Sequence, residues 1–500
     1  MHKLQEIEQR IRPYYVLLML LIIEALLTPI NHRLIEFPEW GVLVAAVILI
    51  VANIYMRYQG KAKKMGRIIF AVASVIVILW NIYQAYCSPY WNTCSERSYS
   101  GTISYDEVIS CEDAIEDLNY LMKYVKKCHP IYLEADESKV NELEKRYETA
   151  VTHLKEADVI TTNGLKQEMQ LMLSCLGDGH TFTGAYFQNE GYLLDAIKYQ
   201  EEGYEIVAVN DVSIEELFEA NKEFYCYELE AWGIEQMQNQ LKKRSGLAFL
   251  GIDGEKVTYT WENQAGETIA ETYTAEDFVS YKEYMQQIEA NSTEGSEAFV
   301  SYEIDKERSL AVLTLSQCIY NEEYCKCLED MFTEVKEQSI EHVAVDLRGN
   351  SGGNSQVANA FMSYLDIDEY HIFSCPIVRR GAFNMTFSNP TMKNVKNTDL
   401  LYQGKVYVLT DTATFSSAVD FTDLIQGNNL GIVIGEIPSN SPNSYGDVAV
   451  FETPNTGIMF QVSTKKWLRV NQDETDPVIH PDIECDSREV YTYLYEAIAK

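Results

Sequence analysis

Two segments about sixty residues apart constrain this chain most: Val343-Ala-Val-Asp-Leu-Arg-Gly-Asn-Ser-Gly-Gly353, and Gly404-Lys-Val-Tyr-Val-Leu-Thr-Asp411 running into Thr414-Phe-Ser-Ser-Ala-Val-Asp-Phe421. Each reads as a buried strand that ends in a turn and opens a helix. The first turn is glycine-rich and can present backbone N–H groups. The second places Ser416 and Ser417 where a helix begins. A hydroxyl at a helix N-terminus, facing a glycine turn from the neighbouring strand, is the geometry of a serine nucleophile beside an oxyanion hole. Serines also cap helices without any chemistry, and it is the glycine turn that tips the reading towards a nucleophile.

Around these segments the order of elements is regular. Leu310–Leu315, Val343–Leu347, Val406–Leu409 and Leu430–Ile434 read as strands. Helices at Glu322–Glu337, Gln356–Tyr364 and Ser417–Gln426 fall between them. That alternation predicts βαβ units on a mainly parallel sheet, an α/β core over 301–500. Upstream, Ile115, Leu118, Leu121, Met122 and Val125 recur at helical spacing, and 98–185 reads as a helical subdomain ending in Leu176-Gly-Asp-Gly-His-Thr-Phe182. Short strands dominate the reading of 186–300, with Tyr204–Asp211, Leu247–Ile252 and Lys256–Trp261 among them.

The first ninety residues differ in kind. Three apolar runs, about 14–30, 40–56 and 68–87, approach the length of a membrane-spanning helix. Only Glu24 interrupts the first. The loop Arg57–Arg67 carries five basic and no acidic side chains, which predicts a cytoplasmic loop. A three-helix anchor follows, in a multi-pass cell-membrane protein with a cytoplasmic N-terminus and an extracytoplasmic domain after Cys87. No cleavable signal is evident.

Charge and cysteine content exclude some functions. The net charge is −35; nine basic and five acidic side chains lie up to Arg67, and 31 and 70 after it. A domain that acidic repels phosphates, so nucleic acid is not an expected partner. The eleven cysteines contain no CxxC pair and no zinc spacing. There is no HExxH, phosphate loop or dinucleotide fingerprint, so neither metal nor other cofactor is expected.

Asp346-Leu-Arg-Gly-Asn-Ser-Gly-Gly353, Thr414-Phe-Ser-Ser-Ala418, Gly435-Glu436 and His480-Pro-Asp482 resemble the core of the C-terminal processing (tail-specific) and tricorn-like serine peptidases. The likeness extends upstream through His129-Pro130, Leu176–Thr181 and Val207–Asp211, roughly Tyr105 to Val490. It implies a crotonase-like (ClpP/crotonase) peptidase core, with 186–300 a candidate peptide-guiding unit in place of a complete PDZ domain. It makes Ser416 the nucleophile, two residues after Thr414 and nineteen before Gly435. Ser417 is the alternative, since the family acid three residues on would then be Asp420. The oxyanion hole would be the amides of Ser417 and Gly352.

The base departs from the tail-specific pattern. That pattern has a lysine about twenty-five residues after the serine, where this chain has Ser441. Tricorn-like members use an upstream histidine, which His180 matches, and a downstream glutamate. Glu474 is the candidate for that acid, with Asp476 the alternative. The serine that precedes the histidine in tricorn-like sites is Gly179 here. The expected activity is acyl-enzyme cleavage of peptides or protein tails. A catalytically silent peptide-binding protein on the same fold and a hydrolase of small esters or amides are the other readings. Oligomeric state is not legible.

Overall fold

A computed structural model describes residues 16–19, 22, 39–58, 64–86, 101–263, 265–293, 298–380, 383–387, 390–474 and 476–500. Near the N-terminus, helices α1 (Glu39–Tyr58) and α2 (Lys64–Tyr86) pack on each other through Ala45, Leu49, Ala52, Phe70 and Val77. Their outward faces, Val47, Ile54, Ile69 and Ile76 among them, stay exposed. Among the described residues no helix is long and apolar enough to cross a membrane, which corrects the expectation of three spans. Glu39 and Arg57 bound the apolar stretch of α1, and Arg67 and Asn81 that of α2. At about 1.5 Å per residue those stretches reach about 25 Å or less, against a hydrocarbon core of about 30 Å. The multi-pass cell-membrane localisation expected from three such spans is corrected with them, and among the described residues nothing supports an integral membrane partner. The first apolar run with Glu24 lies almost wholly outside the described residues, as do Cys87, Cys94 and much of the basic loop.

The helical subdomain comprises α3 (Cys111–Cys128), α4 (Ser138–Glu156) and α5 (Thr162–Ser174). Ser110 caps α3 by accepting from Asp113 N, and Thr161 caps α5 by accepting from Gly164 N. Their apolar faces meet Phe451, Phe460 and Val462 in one core. A short strand, β1 (Phe182–Gly184), leaves this subdomain and joins a sheet formed much later in the chain.

The inserted region has its own core around Tyr259, Trp261, Phe218 and Tyr225. Its sheet pairs β2 (Tyr204–Val209), β3 (Val212–Ser213), β4 (Lys256–Asn263) and β5 (Thr268–Thr274) in antiparallel fashion. Helix α6 (Glu230–Leu241) packs on it through Met237 and Leu241. Leu247–Ile252, expected as a strand, instead opens within a helix, Arg244–Phe249, and closes by Leu250 N donating to Gly246 O and Ile252 N to Leu247 O. A short apolar run does not declare its period, and here the approach of Gly246 to the Gln240 backbone fixes a tight helical corner.

The core is a six-stranded sheet in the order β6 (Val300–Asp305), β7 (Leu310–Leu315), β8 (His342–Asp346), β11 (Lys405–Thr410), β12 (Gly431–Gly435) and β15 (Ile483–Glu484). All pairs are parallel except the first. Alternate residues face opposite layers, as strand geometry requires. Val343, Val345, Val406 and Val408 pack under α7 (Glu322–Gln338), α8 (Gln356–Met362) and α9 (Ser417–Gly427). Ala344, Tyr407 and Leu409 meet Val490 and Leu494 of α10 (Val490–Ile498). Phe361 of α8 and Phe421 of α9 are fully buried in the first of these two layers, worth about 1.5–3 kcal/mol each. A second, antiparallel sheet runs β10 (Phe383–Phe387), β9 (Ser374–Arg380), β14 (Met459–Leu468), β13 (Tyr445–Glu452), with β1 added beside β14. Strands β8 and β11 are neighbours in register, so the glycine turn and the serine pair emerge side by side at their C-terminal ends.

Candidate active site

Ser416 stands at the entrance to α9 with φ 52° and ψ −124°, a backbone region that costs a non-glycine residue about 1–3 kcal/mol. Three bonds hold it there. Asn440 Oδ1 accepts from Ser416 N at 2.7 Å, Asn350 O from Phe415 N at 2.9 Å, and Leu347 O from Thr414 Oγ1 at 3.0 Å. Asn440, beside the Ser441 that stands where the lysine was sought, is itself buried. The neighbouring hydroxyl is engaged: Ser417 is buried, and its Oγ donates to Gly353 O at 2.9 Å. Both serines line the same cavity, and it is the hydroxyl bond and the deeper burial of Ser417 that separate them, leaving Ser416 without that commitment.

The glycine turn lies against the nucleophile. Gly352 has φ +98°, and a methyl group on it would stand 2.6 Å from Ser416 Cβ and 2.9 Å from Ser417 N. Its own N–H donates to Asn350 Oδ1 at 2.8 Å, while Gly353 is the glycine on the cavity wall. Arg348 anchors the turn from behind. It grips Asp346 through Nε and Nη2 and donates from Nη1 to Ser487 O.

His180 arrives from the other subdomain. Gln461 Nε2 donates to its carbonyl at 2.7 Å and Ser463 N donates to Thr181 Oγ1 at 3.0 Å, which pins the turn to β14. Its ring packs on Phe415, centroids 4.6 Å apart. Ser416 and His180 line one cavity of about 440 Å³ with Asp420, Tyr445, Asp447 and Lys465. A larger cleft of about 820 Å³ at the C-terminus of α7 shares no residue with it. Burial lowers the His180 pKa against the opposing charge of Asp178, so the imidazole is neutral near pH 7 and can accept a proton.

Beneath His180 lies a buried layer that the sequence did not announce. His129 Nδ1 accepts from Ile131 N, so its proton sits on Nε2 and is donated to Asp178 Oδ2 at 3.0 Å. Burial alone would raise the Asp178 carboxyl, but that bond, the pull of the His129 and His180 rings whenever they are protonated, and a bond from Thr181 hold it well below the carboxylate range. Asp178 Oδ1 lies 3.9 Å from His180 Nδ1. Asp178, His180 and Glu228 bring one donor atom each within 4.8 Å of one another. One imidazole and two carboxylates so placed form an acid–base group around the His180 ring. A spacing rule in one chain segment could not find Glu228, which comes from the inserted region.

Lys465 was illegible as well. Lys465 reaches the cavity from β14, on the strand face shared by Ser463 and Trp467, and is ion-paired with Asp447 at 2.7 Å. Glu474 is exposed, and its Oε1 accepts from Asp476 N at 3.0 Å; Asp476 pairs with His480 at 3.2 Å. Neither lines the cavity, so the structure does not bring them to His180.

Residues 309–485 match peptidase family S41. The fold is similar to that of mature CPAF, at 12% identity over 78% of this chain and 96% of that one, with a TM-score of 0.55. The complex of mature CPAF with lactacystin gives 12%, 78%, 97% and 0.56. The photosystem II D1 C-terminal processing protease aligns at 13% identity over 77% of this chain and 96% of that one, TM-score 0.44. The class defined by this S41 domain is the serine-type peptidases, which are hydrolases. The match is confined to residues 309–485, and a peptide or protein substrate fits a domain of that kind.

Proposed function

We propose that the protein cleaves peptides or protein tails through an acyl-enzyme on Ser416, with His180 as general base. The observation that carries this reading is the shared cavity: a strained, half-buried serine at a helix N-terminus and a largely buried, neutral imidazole line the same 440 Å³ space. His180 takes the proton of Ser416 Oγ as oxygen attacks the substrate carbonyl, then returns it to the leaving amine. Water repeats the cycle to release the acyl group. The developing oxyanion is met by the Ser417 amide and a glycine amide of the adjoining turn, with Gly352 the sequence candidate and Gly353 the one on the wall.

The test is labelling of the full chain with a serine-reactive fluorophosphonate. Loss of label in Ser416→Ala and His180→Ala, with retention in Ser417→Ala, supports the reading. A folded wild type that takes no label, and cleaves no peptide from a mixed library, overturns it.

A further inference from the structure

Position 179, where the tricorn-like pattern has a serine, is glycine, and the space beside it is filled from elsewhere. A Cβ on Gly179 would stand 2.8 Å from Glu228 Oε2, 2.9 Å from Trp232 Cδ1 and 3.2 Å from Phe415 Cζ. Both Glu228 and Trp232 belong to the inserted region, Glu228 just before α6 and Trp232 within its first turns. Trp232 Nε1 donates to Gly179 O at 3.2 Å, and its ring stacks on Phe415, centroids 3.9 Å apart and 13° from parallel. Phe415 in turn carries the His180 ring on one side and Ser416 next in sequence. The inserted region is thereby built into the catalytic wall.

Two polar groups at this junction need each other. His180 Nδ1 is buried and has no hydrogen-bond partner among the described residues. The Glu228 carboxylate oxygens are equally buried and make no well-aligned bond, although the Gly179 backbone lies close enough to favour their charge. Buried polar atoms without partners are costly, and they gather where a function is served. A serine base needs Nδ1–H held by an acceptor so that Nε2 is free to take the hydroxyl proton.

We infer that Glu228, together with Asp178, holds His180 as the base, a positioning residue delivered by the inserted region into the space a side chain at 179 would fill. This rests on the acyl-enzyme reading of Ser416 and His180. The groups that face Glu228 are Asp178, His180, Lys139, Cys226 and Tyr445, with His129 behind Asp178. Burial first, and then the Asp178 charge, push the Glu228 carboxyl well above the ordinary range. Glu228 therefore becomes a charged acceptor for Nδ1–H only as the pH rises past neutrality, above the step at which His180 itself becomes neutral.

The experiment measures fluorophosphonate labelling rate of the full chain from about pH 5 to about pH 9 for wild type, Glu228→Gln, Glu228→Asp and Glu474→Gln, with folding checked by circular dichroism. The wild-type rate rises in two steps. Glu228→Gln loses the upper step and about 10- to 100-fold of the plateau rate, and Glu228→Asp restores part of both. If Glu228→Gln does not fold, a displaced upper step in folded Glu228→Asp supports the assignment and an undisplaced one overturns it. Two unchanged steps in Glu228→Gln, or loss of the upper step in Glu474→Gln instead, overturn it. A wild type that labels with Glu228→Gln unchanged removes only this assignment. A wild type that never labels removes the acyl-enzyme reading, and this with it.

Discussion

Gly352 approaches Ser416 so closely that a methyl group on the glycine would lie 2.6 Å from the serine Cβ. At φ +98° the glycine also holds a conformation that side chains rarely adopt. Gly352→Ala is therefore expected to displace the nucleophile elbow as well as the turn. The labelling rate should fall at least about 100-fold, the scale of a lost oxyanion donor, with the fold retained by circular dichroism. An alanine variant within about threefold of wild type would mean that the turn and the serine move independently, against the 10²-fold cost of small misplacements.

The imidazole should set the acid limb of activity. Burial lowers the His180 pKa, so the limb is expected below the ordinary histidine value of about 6.5. Asp178 opposes that shift. Asp178→Asn removes the opposing charge and is expected to move the limb to still lower pH while lowering the plateau rate. A limb that moves upward in Asp178→Asn would contradict the arrangement of charges.

Asp420, on the cavity wall, gives a stability prediction. Burial, and then the charge of Asp423, raise its pKa to about 7. The folded chain then holds this proton more tightly than the unfolded chain, whose aspartate titrates near 3.9. The group's contribution is greatest below that lower value and is lost as the pH climbs to about 7. Asp420→Asn should narrow the Tm difference between about pH 5 and about pH 8, measured by calorimetry. An unchanged difference would place the pH response elsewhere.

Asp117 ties the helical subdomain to the hairpin between β13 and β14. It is fully buried and accepts from Asn455 N at 2.9 Å, Thr456 N at 2.9 Å and Thr456 Oγ1 at 2.6 Å. Asp117→Ala leaves those donors unpaired, and chemical denaturation should register a loss of about 3 kcal/mol or more. A loss under about 1 kcal/mol would mean that water reaches the donors.

What was legible in the sequence follows from how local each signal is. Val343–Gly353 and Val406–Ser417 declared strand, turn and helix because each needs only its own residues, and neighbouring parallel strands then bring the turns together. The helical face of Ile115 to Val125 was legible for the same reason. The apolar runs before Tyr86 were read by length and hydropathy alone, where a few flanking polar residues decide whether a span is long enough. Leu247–Ile252 failed as a strand because Gly246 against Gln240 is a tertiary contact. Glu228, Trp232 and Lys465 reach the site across subdomains, by a route that spacing from Ser416 does not encode. Gly179 was visible as a departure from a pattern, but what fills its space was not.

If Ser416 is the nucleophile, a serine-reactive probe leaves its covalent adduct on that residue. The full chain is reacted with a fluorophosphonate, digested, and the adduct located by tandem mass spectrometry. The account predicts one modified serine, Ser416, with the adduct abolished in Ser416→Ala and slowed at least about 100-fold in His180→Ala. An adduct on Ser417, or on a serine outside this cavity, would contradict it.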